Sequence, residues 1–466
     1  MKPWNRIGWA SGLAGVALIA AITIAGTSSS KAVDKLQTSA TPAAEGKLVM
    51  HEWGTFTSFS GSNGVQLDFR PLINEDLPEF VFDRRMQAGV PLFAKRLIRA
   101  QIRMETPVTY FYTDEERTIR AKVDFPNGLL TEFYPPVVAM TPPYDGMKEH
   151  SRPFDKSTLD WGEIDLIPIA KLAPAVKDER TRKWLHQIIQ DRIAPTAGAY
   201  NHYYYARETD SAYVHLRHSP SPELTALSSD HLEKFLFYRG VGKFEQPLHA
   251  VISDDGLIKV TNSGEQPIRS LFRVTVAAKA IEFSSINEVA AGASAEFPKT
   301  TTSIQLPDLQ QRVVDALVAE KLYPKEAAAM VKTWADSWFA EEGTRIFYMV
   351  PREATDKLLP LTISPPPDES VRVLVGRVDV MSPTVEKQLL EIVQAHALRR
   401  ADWWKQEVEP NKERDPLPIP AELLKLGRLA EPALVRIREL AKDNAVAYEA
   451  AALLHECRLA VEKAGI

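Results

Sequence analysis

Residues 103–136, RMETPVTYFYTDEERTIRAKVDFPNGLLTEFYPP, decide the fold. Residues 106–113 are rich in β-branched and aromatic side chains, which pack well on a pleated, half-buried surface. Residues 114–117 form a polar turn. Residues 118–125 alternate: Ile119, Ala121, Val123 and Phe125 fall on one side of an extended chain, and Thr118, Arg120, Lys122 and Asp124 on the other. Pro126-Asn127-Gly128 supplies a turn, because Asn and Gly reach positive φ cheaply. Residues 129–134 open the next strand. The stretch predicts two or three consecutive strands joined by tight turns, with residues 119, 121, 123 and 125 facing a core.

The same signal extends outward. Residues 48–59 (LVMHEWGTFTSF) read as a first strand, Gly61-Ser62-Asn63-Gly64 as a hairpin turn, and residues 65–69 as its return. A short helix rich in Arg and Lys is expected at 93–102. Residues 135–180 are irregular and Pro-rich, and residues 181–193 form an amphipathic helix, with Trp184, Leu185, Ile188, Ile189 and Arg192 at helical spacing. Strands resume at 212–218 and 233–238. A hairpin at 249–261 turns at Asp254-Asp255-Gly256, and strands follow at 268–277 and 281–297, the latter broken at Gly292. Short strands at regular spacing predict an antiparallel β-sandwich. Parallel pairs would need helical crossovers, which the pattern does not show.

At residue 306 the period changes from two to helical. Apolar residues at 309, 313, 314, 317, 318 and 322 define one helix, and Pro324 opens a second, with Met330, Val331, Trp334 and Trp338 on one face. Strands at 345–350 and 371–380 and a helix opened by Ser382-Pro383 complete the segment. The predicted fold class is therefore mostly β plus α+β: an antiparallel β-sandwich, then a helix-hairpin and strand unit, then a C-terminal helical tail. The expected boundaries are a leader at 1–26, a flexible tether at 27–47, and a sandwich region at 48–305 with an irregular or helical insertion around 140–211. An α+β unit at 306–406, a charged, Pro-rich linker at 407–420 and a tail at 421–466 follow. The tail resembles one HEAT-type helical unit, which cannot bury its apolar face alone and should dock on the preceding domain.

The 466-residue chain is 45% hydrophobic and 25% charged, an ordinary globular composition. Its net charge of −5 argues against a dedicated nucleic-acid binder, which would carry a basic stripe. A single cysteine, Cys457, excludes an intramolecular disulfide and any multi-cysteine metal site; it falls on an apolar helical stripe, as a buried small hydrophobe would. Lys2 and Arg6 precede an uncharged span at residues 7–30. That pattern is a signal peptide or a single membrane anchor, with the bulk of the chain exported to the periplasm or held at the inner membrane.

Four stretches, HEWGTFTSFSGSNG (51–64), RMETPVTYFYT (103–113), EKFLFYRGVG (233–242) and KEAAAMVKTWADSWF (325–339), resemble an uncharacterised family of exported bacterial proteins. The resemblance implies export and a shared architecture. It brings no activity, substrate or catalytic residue.

The chain lacks a G-x-S-x-G elbow, a P-loop, a G-x-G-x-x-G fingerprint and an H-E-x-x-H helix. Its densest polar cluster is residues 201–218 (NHYYYARETDSAYVHLRH). His202, Tyr203, Tyr205, Arg207, Glu208 and Asp210 are candidate binding residues, because tyrosine offers a large contact area with a polar tip; packing of this loop onto the sandwich is the alternative. His202, Glu208, Asp210 and His215 are the residue types of a divalent-metal site, which would make the protein a metal-dependent hydrolase. His215 and His218 lie an odd step apart on a strand and face opposite sides. His51 and Glu52 are adjacent on a strand and make a poor chelate, and Trp53 is expected in the core. Arg103 and Glu105 share a face and should pair with Arg239 or another charge. Trp334, Trp338, Trp403 and Trp404 read as core. The pattern leads to a binding or scaffolding protein of the cell envelope, with an envelope protein or a glycan as partner; the hydrolase and an assembly subunit docking through its tail are the alternatives. The pattern does not identify a cofactor.

Overall fold

The computed structural model describes residues 46–69, 77–78, 80–83, 100–142, 156–168, 202–216, 231–277, 280–299, 301–406 and 414–464. The predicted leader, nearly all of the tether, the helix at 181–193 and the first half of the linker lie outside the described residues, as does most of the helix predicted at 93–102.

In chain order the strands are β1 (Val49–Ser60), β2 (Phe82–Asp83), β3 (Ile102–Tyr112), β4 (Arg117–Phe125), β5 (Gly128–Tyr134), β6 (Ala139–Thr141) and β7 (Ser157–Ile167). A single helical turn (His202–Tyr205) precedes β8 (Tyr213–Leu216), β9 (His231–Glu233), β10 (Leu236–Gly242), β11 (Leu248–Ile252), β12 (Ile258–Asn262), β13 (Ile268–Ala277), β14 (Ala280–Val289), β15 (Ser294–Glu296) and β16 (Thr302–Ser303). The helices α1 (Leu306–Ala319) and α2 (Pro324–Phe339) lead to β17 (Gly343–Val350), α3 (Arg352–Leu358), β18 (Leu361–Ser364) and β19 (Glu369–Val380). The chain ends with α4 (Pro383–Lys405), α5 (Ala421–Lys425), α6 (Ala430–Leu440) and α7 (Asn444–Ala464).

The deciding stretch forms the expected strands, and Ile119, Ala121, Val123 and Phe125 are at most 1% exposed. Their partners differ from the expectation. β3, β4 and β5 do not pair with one another as hairpins; they change sheets, whereas the expected hairpin at 249–261 forms as β11 and β12. β3 and β5 lie in a ten-stranded sheet ordered β16-β14-β13-β17-β19-β1-β3-β10-β5-β2, whereas β4 lies in a second sheet ordered β18-β4-β7-β8-β9, with β6 also on β7. Burial explains the sorting. β1, β5 and β10 are almost wholly buried, as strands covered on both faces must be, while β4 alternates and keeps a wet outer face. The turn between β4 and β5 needs glycine: a Cβ on Gly128 would stand 2.2 Å from the Phe125 ring.

The large sheet is mixed. β1 runs parallel to β19, from Val49 opposite Glu369 to Ser60 opposite Val380. The antiparallel expectation fails there because the crossover is the intervening chain itself, not one helix. β17 and β19 thus complete the same sheet as β1, so the change of period at residue 306 marks a change of element within one shared sheet. β7 lies in a region expected to be irregular; its alternation is interrupted at Gly162, which has φ +65° opposite a register shift in β4.

The two large sheets pack face to face as a sandwich. Trp161 of β7 is fully buried, its ring 6.0 Å from that of Tyr238 on β10, and its indole donates to the Pro135 carbonyl at 2.9 Å. The opposite face of the ten-stranded sheet carries α2, whose Met330, Val331, Trp334 and Trp338 are buried as predicted. The tail packs Leu423, Leu434, Ile437, Leu453 and Cys457 against Leu389 and Val393 of α4. Burial of each large aliphatic side chain there contributes roughly 2 kcal/mol. Ser382 caps α4 by accepting from Val385 N. Trp404 departs from the expected core position and is 64% exposed. Among the described residues, no helix is long and apolar enough to cross a membrane.

Candidate functional site

Tyr203 and Arg207 of the 202–216 segment fold inward, whereas His202 and Tyr205 are half-buried and Glu208 and Asp210 are exposed. Tyr203 is 1% exposed, packs on Phe235 and Phe237, and donates to Glu233 Oε2 at 3.0 Å. Arg207 is buried beside it, with Nη2 2.6 Å from Glu233 Oε2 and its guanidinium over the Tyr204 ring at 4.9 Å. His202 Nδ1 meets the Thr333 carbonyl of α2, and its ring stacks on Trp334 at 6.0 Å. Tyr205 lies under Lys332, whose Nζ is 4.5 Å from the ring centroid and also pairs with Glu208 at 2.5 Å. Asp210 pairs with Lys325 at 2.7 Å. His215 is 6% exposed on β8, opposite Asp165.

The four metal candidates are therefore not brought together. His202, Glu208 and Asp210 each meet a different residue of α2, and His215 is buried in the second sheet. Among the described residues no three His, Cys, Asp or Glu side chains are grouped to hold an ion. The tyrosine platform is likewise corrected: Tyr203 is core, because its hydroxyl finds a buried carboxylate.

The ionic interior holds residues that the sequence pattern separated. His51 and Glu52 point to opposite faces of β1, as predicted. His51 Nδ1 lies 2.7 Å from Glu326 Oε2, and Tyr112 donates to Glu326 Oε1 at 2.6 Å. Glu326 also reaches back to Tyr323 N at 2.8 Å, tying off the first turn of α2. Burial, then the Glu326 charge, raises the Tyr112 hydroxyl well above its ordinary range, so it stays a donor. His51 Nε2 is buried and has no hydrogen-bond partner. On the other face, Glu52 accepts from Arg372 Nε at 2.6 Å and from the Tyr238 hydroxyl. Arg103 pairs with Glu105 at 3.3 Å, while Arg239 pairs with Glu132 at 3.1 Å, not with the 103–105 pair as expected.

A recess among the described residues crosses the outer face of the six-stranded sheet. It is a groove of about 630 Å³ lined by Arg120, Lys122, Asp160, Glu163, Thr362 and Ser364, with Ala121, Gly162 and Val138 at its floor. Its rim carries both charges. Arg120 Nη2 is 2.7 Å from Glu163 Oε1, and Lys122 Nζ is 3.3 Å from Asp124 Oδ1. The small floor residues come from the irregularity: Ala121 stands opposite Gly162 where the β4–β7 register slips. β18 borders the groove and ends its sheet; it pairs with β4 from Leu361 opposite Val123 to Ser364 opposite Arg120, and no described strand pairs with its other edge. Sequence reasoning missed this groove because its three strands lie far apart in the chain.

No family model matches the chain, and no curated protein matches it. Among solved structures, the yeast delta-COP-I mu-homology domain has a TM-score of 0.24 at 7% identity, covering 73% of this chain and 97% of its own. The Fcho1 mu homology domain of Danio rerio with bound Eps15 peptide has a TM-score of 0.25 at 6% identity, covering 72% and 95%. The yeast delta-COP-I mu-homology domain complexed with a Dsl1 WxWxV peptide scores 0.22 at 7% identity, covering 73% and 98%. Likenesses this low carry no argument about how this chain works.

Proposed function

We propose that this protein is an exported binding or scaffolding module of the cell envelope that takes an extended segment of a protein partner along the groove beside β18. The groove itself carries the proposal. A free strand edge offers unpaired N–H and C=O groups to an incoming chain, and the neighbouring rim reads its side chains, as in β-strand addition. Pro360 and Pro365 flank β18, which limits the edge to its four residues and guards it against uncontrolled pairing. A rim with Arg120 and Lys122 beside Asp160 and Glu163 suits a polar peptide of mixed charge better than a polyanion. Export rests on the basic flank and uncharged span of residues 2–30.

Two experiments test this. Fractionation with N-terminal sequencing of the mature protein should place it outside the cytoplasm; recovery from the cytoplasm with its first residues intact would refute export. Peptides selected from a display library on the purified protein should bind, and the Arg120→Glu, Lys122→Glu double variant, folded as judged by its melting curve, should lose that binding at least about tenfold. Equal binding by the variant would refute the groove.

A further inference from the structure

The register of β18 determines which of its backbone atoms face the free edge. The strand runs antiparallel to β4, with Leu361 opposite Val123, Thr362 opposite Lys122, Ile363 opposite Ala121 and Ser364 opposite Arg120. Just before it begins, the Asp124 N–H donates to the Pro360 carbonyl at 2.9 Å. Residues of an antiparallel pair alternate between bonding one neighbour and facing away from it. Pro360, Thr362 and Ser364 therefore turn their polar backbone atoms toward β4, and Leu361 and Ile363 turn theirs to the edge. Among the described residues, nothing hydrogen-bonds to the backbone of Leu361 or Ile363 on that side.

Side chains alternate along the same edge. Leu361 is half-buried and Ile363 is buried on the core side, where Val123 and Ala121 lie. Thr362 and Ser364 are exposed on the outer side, beside Lys122 and Arg120. A strand added to this edge extends both faces by one row. Its residues opposite Leu361 and Ile363 turn to the rim of the core, and the residue between them turns to the groove.

The charges on the outer face are ordered from the edge inward. Arg120 and Lys122 stand on β4, one strand in, while Glu163 and Asp160 stand on β7, two strands in. Neighbouring strands lie about 4.8 Å apart, so an added strand would run about 10 Å from β4 and about 14 Å from β7. It meets the cations first. Lys122 holds Asp124 at 3.3 Å and Arg120 holds Glu163 at 2.7 Å, but all four side chains are at least 31% exposed, so neither pair locks its cation in place.

Taking the groove as the binding place argued above, we propose that its occupant is an antiparallel strand with the pattern apolar–glutamate–apolar. The two apolar residues exchange backbone hydrogen bonds with Leu361 and Ile363 and pack on their side chains. The glutamate between them crosses Thr362 and meets Lys122. Glutamate suits the site better than aspartate because the carboxylate must reach over the width of β18.

Two capped peptides of one composition, Thr-Val-Glu-Val-Thr and Val-Thr-Glu-Thr-Val, test this on the full chain by fluorescence anisotropy. The first should bind at least about tenfold tighter, because no register of the second puts both valines on the core side with glutamate in the groove. N-methylation of either valine in the first peptide removes a bond to β18 and should weaken binding at least about tenfold, whereas N-methylation of its glutamate, whose N–H points away, should change it less than about twofold. Replacing that glutamate by glutamine should weaken binding to the parent and not to Lys122→Gln. Equal binding of the two peptides, no binding of the first, or a larger loss from N-methylglutamate than from N-methylvaline would overturn the pattern, even where selected peptides still lose binding to the Arg120→Glu, Lys122→Glu variant and so uphold the groove. Selected peptides that bind this double variant as well as the parent would remove the groove and the pattern together.

Discussion

Arg207 and Glu233 form a two-pronged ion pair in the interior, Nη2 standing 2.6 Å from Oε2 and Nε 3.0 Å from Oε1. The pair also takes the Tyr203 hydroxyl and the Lys234 N–H, so Glu233 is the hub that holds the 202–216 segment against β9 and β10. Arg207→Met would leave a buried carboxylate without its cation. The expected loss is about 3–5 kcal/mol in urea unfolding, and Arg207→Lys should recover only part of it because lysine lacks the planar fork. Peptide binding in the groove should not change once the variant is folded. A variant as stable as the parent would contradict the structural role assigned to this pair.

Lys234 supplies a prediction at alkaline pH. Its ammonium is buried, donates to the Ser211 carbonyl at 2.8 Å and lies 4.9 Å from the Tyr213 ring. Burial pushes it down to about 8, with the charges of Asp210 and Glu233 offsetting part of the effect. The unfolded chain therefore binds more protons than the folded one between about pH 8 and the ordinary lysine range. Stability from this group rises with pH across that window, by at most about 3 kcal/mol. Subtracting the pH–stability curve of Lys234→Met from that of the parent should expose this rise; a flat difference would contradict it.

Tyr112 bears on the other hub, Glu326. Tyr112→Phe removes one of three donors to a buried carboxylate that also fixes the first turn of α2. The expected cost is about 1.5–3 kcal/mol in chemical denaturation, the range for a hydrogen bond to a charged group. A neutral substitution would mean that water replaces the hydroxyl.

Short-range periodicity was legible in the deciding stretch and in α2, but not in β7, which alternates within a stretch read as irregular. The alternation of residues 118–125 marked the buried side of β4, and the 330, 331, 334 and 338 spacing marked the buried face of α2. Pairing was not. Nothing local to β1 says that its parallel neighbour is β19, and nothing in Pro126-Asn127-Gly128 says that the turn crosses between sheets. The opposite facing of His51 and Glu52 followed from strand geometry, but their partners Glu326 and Arg372 lie far away in sequence. Tyrosine composition misled at Tyr203, since a tyrosine is as much at home in a core that offers its hydroxyl a carboxylate. Trp404 misled in the other direction: it stands at the exposed end of α4, with the Arg414 guanidinium 5.3 Å from its ring.

The most direct measurement of the binding role is amide hydrogen exchange of the full chain with and without a selected peptide. Slowed exchange confined to residues 361–364 and the facing parts of β4 and β7 is the result the groove predicts. Protection elsewhere, with residues 361–364 exchanging as fast as in the free protein, would contradict it.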